Sequence, residues 1–276
     1  MTKQIFPEVT LNNNVSVPQL GLGVWQSREG GEVERAIACA FEAGYRSIDT
    51  AAIYENERGV GAAIKNSGIS RDEIFVTSKV WNSDQGFDIT ISAFGNSLKL
   101  LGLEYLDLYL VHWPVAGKYK ETWKALEILY RKGMVRAIGV SNFLTHHLEK
   151  LLQEAEVVPA VNQIEFHPYL IQQDLFDYCV EKNIRVEAWG PLMQGKFTKI
   201  RLFAEIAEKY NKTAAQVLLR WHIQRGVITI PKSVNELRIK ENVAIFDFSL
   251  SEEKMDQINK LDKNYRFGPD PDNFDF

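Results

Sequence analysis

The chain contains 276 residues, of which 45% are hydrophobic, and its 32 basic and 36 acidic residues give a formal net charge of -4. With a pI near 5.8, it has no general electrostatic attraction to nucleic acid or to an anionic membrane. We therefore expect one domain over residues 1–276 with neither kind of partner, and any basic binding site must be local.

The N-terminus and the cysteines are typical of a cytoplasmic protein. The first seven residues, Met-Thr-Lys-Gln-Ile-Phe-Pro, contain no apolar run of signal-peptide length, and the longer apolar runs are broken by charges. Cys39 and Cys179 belong to no CxxC or Cys/His cluster, so we expect reduced packing residues and no metal site. We expect a cytoplasmic monomer.

The predicted elements begin with a hairpin and continue as a repeat. Residues 8–11 and 15–17 flank three asparagines, which tolerate the positive φ of a tight turn. Eight short strands are then predicted at 20–24, 45–49, 74–79, 106–112, 135–141, 160–165, 185–188 and 227–230. Helical periodicity occurs between strands at 33–43, 56–67, 91–101, 122–131, 174–182, 203–210 and 214–224. The alternation predicts a (β/α)8 TIM barrel with an N-terminal β-hairpin and extra C-terminal helices, with a doubly wound open sheet as the alternative.

Polar side chains end three consecutive predicted strands. Asp49, Lys79 and His112 end the second, third and fourth strands, and Tyr54 follows the second. In a barrel these positions meet at the C-terminal mouth, where barrel enzymes place their active sites. Each residue alone also fits a structural role, but together they favour one site.

The chemistry of these four side chains suits proton delivery to a carbonyl oxygen. Lys79, held charged by Asp49, would lower the pKa of Tyr54 by favouring phenolate. His112 would hydrogen-bond the carbonyl oxygen and orient it toward Tyr54.

Four stretches resemble the signatures of the aldo-keto reductases. They are Gly-Tyr-Arg-Ser-Ile-Asp-Thr-Ala at 44–51, Leu-Asp-Leu-Tyr-Leu-Val-His-Trp-Pro at 106–114, Gly-Val-Ser-Asn-Phe at 139–143 and Ile-Pro-Lys-Ser at 230–233. The resemblance covers nearly the whole chain and implies NADPH-dependent carbonyl reduction with Tyr54 as general acid. Within that family the chain resembles the short bacterial members that reduce glyoxal, methylglyoxal or 2,5-diketo-D-gluconate, and the glyoxal and methylglyoxal reductases in particular. They imply small aldehydes, ketones and α-dicarbonyls as substrates.

The resemblance also assigns residues to the nicotinamide end of the cofactor. Ser141, Asn142 and Gln163 would contact the carboxamide, and Trp189 would stack on the ring. Without the resemblance, these residues equally suit strand-end capping and packing. Close relatives usually have Ser where this chain has Gly190, so one cofactor hydrogen bond is expected to be missing.

At the other end of the cofactor, Lys232, Ser233 and Arg238 would bind the adenosine 2′-phosphate near a helix start, and Glu241 and Asn242 would hold the adenine. The alternative for the basic residues is a solvated patch. The remaining residues expected to bind the cofactor are Trp25, Asp49, Pro191, Leu192, Gln194, Gly195, Ile230 and Val234. The chain lacks a GxGxxG fingerprint, which argues against a Rossmann domain.

The expected substrate pocket combines apolar rings with one polar group. Trp25, Trp81 and Trp113 would supply apolar surface and His112 polarity, although the tryptophans also suit ordinary packing. Short loops at 114–118 and 192–199 indicate an open mouth and broad selectivity. The tail, 265–276, either covers the mouth or is disordered.

Two other protein classes are alternatives. A cofactor-bound regulatory barrel without significant turnover is disfavoured by the complete set of Asp49, Tyr54, Lys79 and His112. A metal-dependent hydrolase is disfavoured because His146 and His147 are predicted to lie on a helix, and because His167 and His222 lack partnered carboxylates at the predicted strand ends.

Overall fold

The computed structural model describes residues 6–274. Residues 1–5 and 275–276 lie outside the described part. The predictions for the domain (1–276), for the first seven residues and for the tail (265–276) each extend into these residues. The described chain begins with the predicted hairpin, in which β1 (Glu8–Thr10) pairs antiparallel with β2 (Ser16–Pro18). In its turn, Asn14 has a φ of 66°, as expected for an asparagine-rich connection.

Eight parallel strands follow, and each pairs with the next one along the chain. They are β3 (Leu22–Gly23), β4 (Ser47–Asp49), β5 (Phe75–Val80), β6 (Leu106–Val111), β7 (Val135–Ser141), β8 (Val161–Glu165), β9 (Arg185–Trp189) and β10 (Ile228–Thr229). The last strand returns to the first, because Gly21 N donates to Thr229 O and Thr229 N donates to Gln19 O, both at 2.9 Å. The predicted (β/α)8 barrel is confirmed. The open-sheet alternative is wrong, because the strand order never reverses.

Helices surround the barrel. They are α1 (Gly31–Glu42), α2 (Glu57–Asn66), α3 (Phe87–Leu101), α4 (Tyr119–Arg131), α5 (Thr145–Leu152), α6 (Gln173–Glu181), α7 (Arg201–Tyr210), α8 (Ala214–Gln224), α9 (Glu236–Asn242) and α10 (Glu252–Asn259). A β-carbon at Gly61 would lie 2.0 Å from Leu101 O, so glycine allows α2 to approach α3. Thr213 and Gln216 form a capping box that begins α8.

Burial of the strands in the barrel core explains why they could be predicted from the hydrophobic pattern of the sequence. Every residue of β5 and β6 is buried, as expected for parallel strands covered on both faces. At the opposite end from the mouth, the buried Asp107 pairs with Arg71 and Arg136, each at 2.7 Å. Within residues 6–274, no helix is both long and apolar enough to cross a membrane.

Candidate active site

The ends of three neighbouring strands bring the predicted tetrad together. Asp49 ends β4, Lys79 lies one residue before the end of β5, and His112 follows β6. Tyr54 closes a turn of 3₁₀ helix after β4 (Ala52–Tyr54). The parallel pairing of these strands places all these positions at one end of the barrel, as the sequence predicted.

Short polar contacts join three of the four side chains. Lys79 Nζ lies 2.6 Å from Asp49 Oδ1, 2.9 Å from Thr50 O and 3.4 Å from Tyr54 Oη. The His112 ring meets the Tyr54 ring edge-on, with 5.8 Å between centroids. Lys79 is fully buried, so its ammonium depends on these oxygens in place of water.

The pKa values of the tetrad reflect burial as much as charge. Burial would lower the pKa of Lys79, but Asp49 and Tyr54 raise it above its ordinary value, so the amine is charged. Burial raises the pKa of Tyr54, although Lys79 acts to lower it. The expected net lowering for Tyr54 is therefore wrong for the protein alone, because desolvation outweighs the ammonium. Burial and Lys79 lower the pKa of His112 well below its usual range, so its ring is neutral.

A cavity of about 1240 Å³ opens over these residues, larger than the roughly 300–1,000 Å³ of most small-molecule pockets. Lys79 lies outside its lining, buried among the other tetrad side chains. The other predicted site residues that line it are Trp25, Asp49, Tyr54, Trp81, His112, Trp113, Ser141, Asn142, Gln163, Trp189, Gly190, Pro191, Leu192, Gln194, Gly195, Ile230, Lys232, Ser233, Val234, Arg238, Glu241 and Asn242. The volume has room for a ligand larger than a small carbonyl compound.

Gln163 is held by carboxyl groups on two sides. Its Nε2 donates to Asp49 Oδ2 at 2.8 Å and to Glu187 Oε1 at 2.5 Å. Ser141 Oγ donates to the Gln163 backbone carbonyl at 2.9 Å. Glu187 is not among the predicted site residues, although a carboxylate within an apolar strand is a sequence signal that marks it.

Asn142 is fixed mainly by protein partners. Its Nδ2 donates to His112 O at 3.0 Å and to Ser141 Oγ at 3.1 Å, and Trp189 Nε1 donates to its Oδ1 at 2.8 Å. These bonds hold its backbone at a φ of 64°. Gly190 has a φ of 62°, a conformation that favours glycine at this position.

The basic end of the cavity is exposed. Lys232 Nζ contacts Gln26 O at 3.5 Å, and within residues 6–274 Arg238 forms no ion pair. Asn235 Oδ1 accepts from Arg238 N at 3.1 Å, so one of the helix-start amides expected to face an anion is already bonded. An anion here would be held mainly by side chains.

The C-terminal tail covers part of the mouth. Of the two alternatives predicted for it, residues 265–274 therefore follow the first, in which the tail is ordered over the mouth. Buried Glu165 accepts hydrogen bonds from Phe267 N at 2.7 Å and from Gly268 N at 3.2 Å. Further along, Phe274 stacks on Trp113, with centroids 4.1 Å apart and planes 13° apart. The lining residues that were not predicted are Gly23, Gln26, Ile53, Phe197, Thr198, Thr213, Ala214, Ala215, Asn235, Phe267, Gly268 and Pro269.

Two histidines of α5 meet an aspartate of the tail. Asp272 Oδ1 lies 3.0 Å from His146 Nε2 and 3.5 Å from His147 Nε2. His147 Nδ1 accepts from Leu144 N, so the proton of its neutral ring is on Nε2. Because that atom is protonated, it is not available as a metal ligand, and its 3.5 Å separation from Asp272 Oδ1 is longer than a normal hydrogen bond. None of the three lines the cavity.

Comparison with known proteins agrees with this geometry. The chain matches the Aldo/keto reductase family over residues 19–263. It is 58% identical over 264 residues to the glyoxal reductase of Bacillus subtilis (strain 168), covering 96% of both chains. It is 46% identical over 271 residues to the methylglyoxal reductase DkgA of Escherichia coli (strain K12), covering 96% of this chain and 97% of the relative. A solved structure of a Gox0644 mutant in complex with NADPH superposes with a TM-score of 0.95 at 43% identity, covering 99% of this chain and all of that one.

The chain therefore belongs to the aldo/keto reductase family, and the predicted resemblance is confirmed. It is an NADP-dependent oxidoreductase with the barrel fold of that family.

Proposed function

We propose that this reductase converts small aldehydes, ketones and α-dicarbonyls of the glyoxal and methylglyoxal type to alcohols, with Tyr54 as general acid. The observation that carries the proposal is the contact of Tyr54 Oη with the charged, buried Lys79 Nζ at 3.4 Å. An ammonium at that distance stabilises negative charge on the phenol oxygen as its proton leaves.

The roles of the other tetrad residues follow from their partners. Asp49 holds Lys79 in place through a 2.6 Å contact and compensates its charge in the dry core. His112 is neutral, so its ring is able to donate a hydrogen bond to a carbonyl oxygen without carrying the proton that the reaction consumes. NADPH, when bound, supplies the hydride.

The residues around the cavity fit a nicotinamide dinucleotide phosphate. Within residues 6–274, no donor is bonded to Gln163 Oε1, which leaves it to accept from a carboxamide. Trp189 lines the cavity next to these residues, where its indole would stack on the nicotinamide ring. At the far end, neither Arg238 nor Lys232 forms a close ion pair with a carboxylate of the described chain, which leaves both cations able to bind a 2′-phosphate.

The substrate class rests on the mouth and on the relatives. Trp25 is 50% exposed at the rim, and the Trp81 ring meets His112 edge-on at 5.1 Å. The two bacterial relatives are named for glyoxal and methylglyoxal, both small dicarbonyls. We propose the same class here, acted on by a cytoplasmic monomer that forms one domain over residues 1–276.

The test is the Tyr54→Phe substitution, which removes the proton donor and leaves the ring. We expect kcat/KM for methylglyoxal to fall by roughly 10²–10⁴-fold, because general acid catalysis contributes on that order. NADPH affinity should stay within about twofold of the wild type.

The matched control is Tyr45→Phe, another buried tyrosine, whose hydroxyl makes only a 3.4 Å contact with Ile239 O. It should keep wild-type turnover. Near-normal reduction by folded Tyr54→Phe would overturn the mechanism. Wild-type protein that binds NADPH but reduces no member of a carbonyl panel would favour the regulatory barrel instead.

A further inference from the structure

Glu187 is a buried carboxyl group that the proposed mechanism leaves without a role. It lies on β9, where the register pairs it with Gln163 on β8 and Ile228 on β10. Its residue is 3% exposed, and its Oε1 accepts from Gln163 Nε2, the same atom that donates to Asp49 Oδ2. Two carboxyl groups therefore converge on one amide nitrogen inside the barrel.

The charges around this amide do not balance if both carboxyl groups are ionised. Lys79 is the ammonium of the group, and it contacts Asp49 at 2.6 Å. Two carboxylates with one ammonium would leave an uncompensated negative charge in the core, which is costly. Glu187 is the group that keeps a proton, because burial and the neighbouring Asp49 raise the pKa of its carboxyl to about 8.

This arrangement also fixes the direction of the amide. The anionic Asp49 requires a donor, so Nε2 of Gln163 faces the two carboxyl groups and Oε1 faces away from them. Rotating the amide would place Oε1 against the Asp49 carboxylate. The proton of Glu187 and the orientation of Gln163 are thus parts of one hydrogen-bonded unit.

We propose that Glu187 is a positioning residue that fixes the Gln163 amide and couples one proton to the redox state of the bound nicotinamide. The inference rests on the proposed function, since it takes Gln163 as the nicotinamide contact. The nicotinamide ring is cationic in NADP+ and neutral in NADPH. A positive charge beside Gln163 favours the ionised form of Glu187, so NADP+ expels its proton and NADPH does not.

The other groups that face Glu187 do not change charge near neutral pH. The pKa values of Lys79 and Tyr54 are raised above their ordinary values, which are already near or above 10. That of His112 lies well below 6.5. Asp49 forms an ion pair with Lys79. On the other side of β9, the residue opposite Glu187 is Ile228 of β10, which does not titrate, and α6 packs on the outside of β9. A proton exchanged between about pH 6.5 and 8.5 on binding at this end is therefore assigned to Glu187.

The test compares the dissociation constants of NADPH and NADP+ at pH 6.5, 7.5 and 8.5, measured by quenching of tryptophan fluorescence. Both ligands carry the same 2′-phosphate, so its titration cancels in their ratio. In the wild type, we expect the affinity for NADP+ relative to that for NADPH to rise by about fivefold or more from pH 6.5 to 8.5, as a single linked proton requires. In Glu187→Gln, the ratio should stay constant within about twofold.

The matched control is Glu127→Gln. Glu127 is also buried and accepts hydrogen bonds from Glu156 N and Val157 N, but it does not line the cavity. This variant should keep the pH dependence of the wild type. A second measurement needs no variant: adding NADP+ to weakly buffered wild-type protein near pH 7 should release up to about one proton per site, and NADPH should release almost none.

A ratio that does not change with pH in the wild type would overturn the inference. A slope that persists in Glu187→Gln would overturn it too, because the proton would then belong to another group. Neither measurement involves turnover. Failure of Tyr54→Phe to lose activity would therefore count against the proposed reaction and leave the Glu187 result standing.

Discussion

Single residues in this site are governed by the competition between burial and pairing. Lys79 is the clearest case, because complete burial disfavours its ammonium while an aspartate, a carbonyl and a phenol surround it. Removing any one of these oxygens would leave the ammonium short of partners in a dry core. The charge of Lys79 on β5 is therefore stabilised by oxygens at the end of β4 and in the turn after it. The chemistry proposed for Tyr54 depends on these contacts.

Arg238 provides a residue-scale prediction that separates cofactor binding from a solvated basic patch. If Arg238 binds the 2′-phosphate as proposed, Arg238→Ala removes a charge-assisted contact that NADPH alone offers, since NADH has a hydroxyl there. We expect the dissociation constant for NADPH to rise by roughly 10- to 150-fold, equivalent to about 1.5–3 kcal/mol, with NADH little changed. Isothermal titration calorimetry with both cofactors measures the difference.

Lys240→Ala is the control for Arg238→Ala, because Lys240 is an exposed cation on the same helix whose 4.0 Å approach to Glu42 is weak. It should alter neither affinity by more than about twofold. Equal losses for NADPH and NADH in Arg238→Ala would indicate a structural defect in α9, and no loss for either would leave the side chain in solvent.

Helices and strands whose formation depends on local sequence pattern, or on pairing with one neighbouring strand, were predictable from the sequence. The segments that form β5, β6 and β7 are buried at every residue except Arg136 and are largely apolar for that reason, and the mouth residues follow from their ends. The contact between Glu187 and Gln163 was not predictable, since the two residues lie 24 positions apart and meet only through the register of β8 and β9. The net pKa of Tyr54 was mispredicted because burial is a tertiary property.

The tail shows the same limit at the scale of an element. Residues 265–274 contain no regular secondary structure, so no periodicity marks where they lie. Their position is set by the Glu165 carboxylate, which accepts from the backbone of Phe267 and Gly268, and by the fit of Gly268 against Trp189. A β-carbon on Gly268 would lie 2.3 Å from the Trp189 ring, so the tail and the indole are packed as one surface.

A prediction at this scale concerns Phe274, which stacks on Trp113, one of the residues proposed to contact the substrate. Phe274→Ala should weaken the tail contact by about 0.5–1.5 kcal/mol, the usual size of an aromatic pair. We expect KM for methylglyoxal to rise by roughly 2- to 10-fold with kcat and NADPH affinity nearly unchanged, because the tetrad is not touched. Steady-state kinetics measure this split.

Phe87→Ala serves as the comparison for Phe274→Ala, because Phe87 begins α3, is 36% exposed and does not line the cavity. Its KM should match that of the wild type. A fall in kcat for Phe274→Ala without a change in KM would show that the tail acts on the chemical step and not on substrate retention.

At the scale of the whole molecule, buried ionisable groups make stability depend on pH from both sides. His222 has its Nδ1 2.8 Å from Leu218 O and its Nε2 3.0 Å from Phe166 O, yet burial lowers its pKa from 6.5 to about 4. The unfolded chain therefore binds a proton that the folded chain refuses. This contribution to stability is present above pH 6.5 and is lost as the pH falls toward 4. The lowered pKa of His112 acts in the same direction.

Glu187 acts in the opposite direction, because its folded pKa of about 8 lies above its ordinary value of 4.5. The folded chain holds this proton more tightly, so the contribution is fully present below pH 4.5 and is lost as the pH rises through 8. Each such group changes the free energy of unfolding by about 1.4 kcal/mol per pH unit within its window. The histidines oppose Glu187 only below pH 6.5, so the two sets together place maximum stability near that value.

We therefore expect the free energy of unfolding of the wild type, relative to that of Glu187→Gln, to decline by about 2 kcal/mol between pH 6.5 and 8, because the histidines contribute equally to both proteins and Glu187 contributes to the wild type alone. Glu187→Gln has no titrating group at this position, so its own stability should not decline over the same interval. Urea unfolding of both proteins at pH 6.5, 7.25 and 8, followed by tryptophan fluorescence, measures the two slopes. Parallel declines would mean that the folded protein does not hold the extra proton on Glu187.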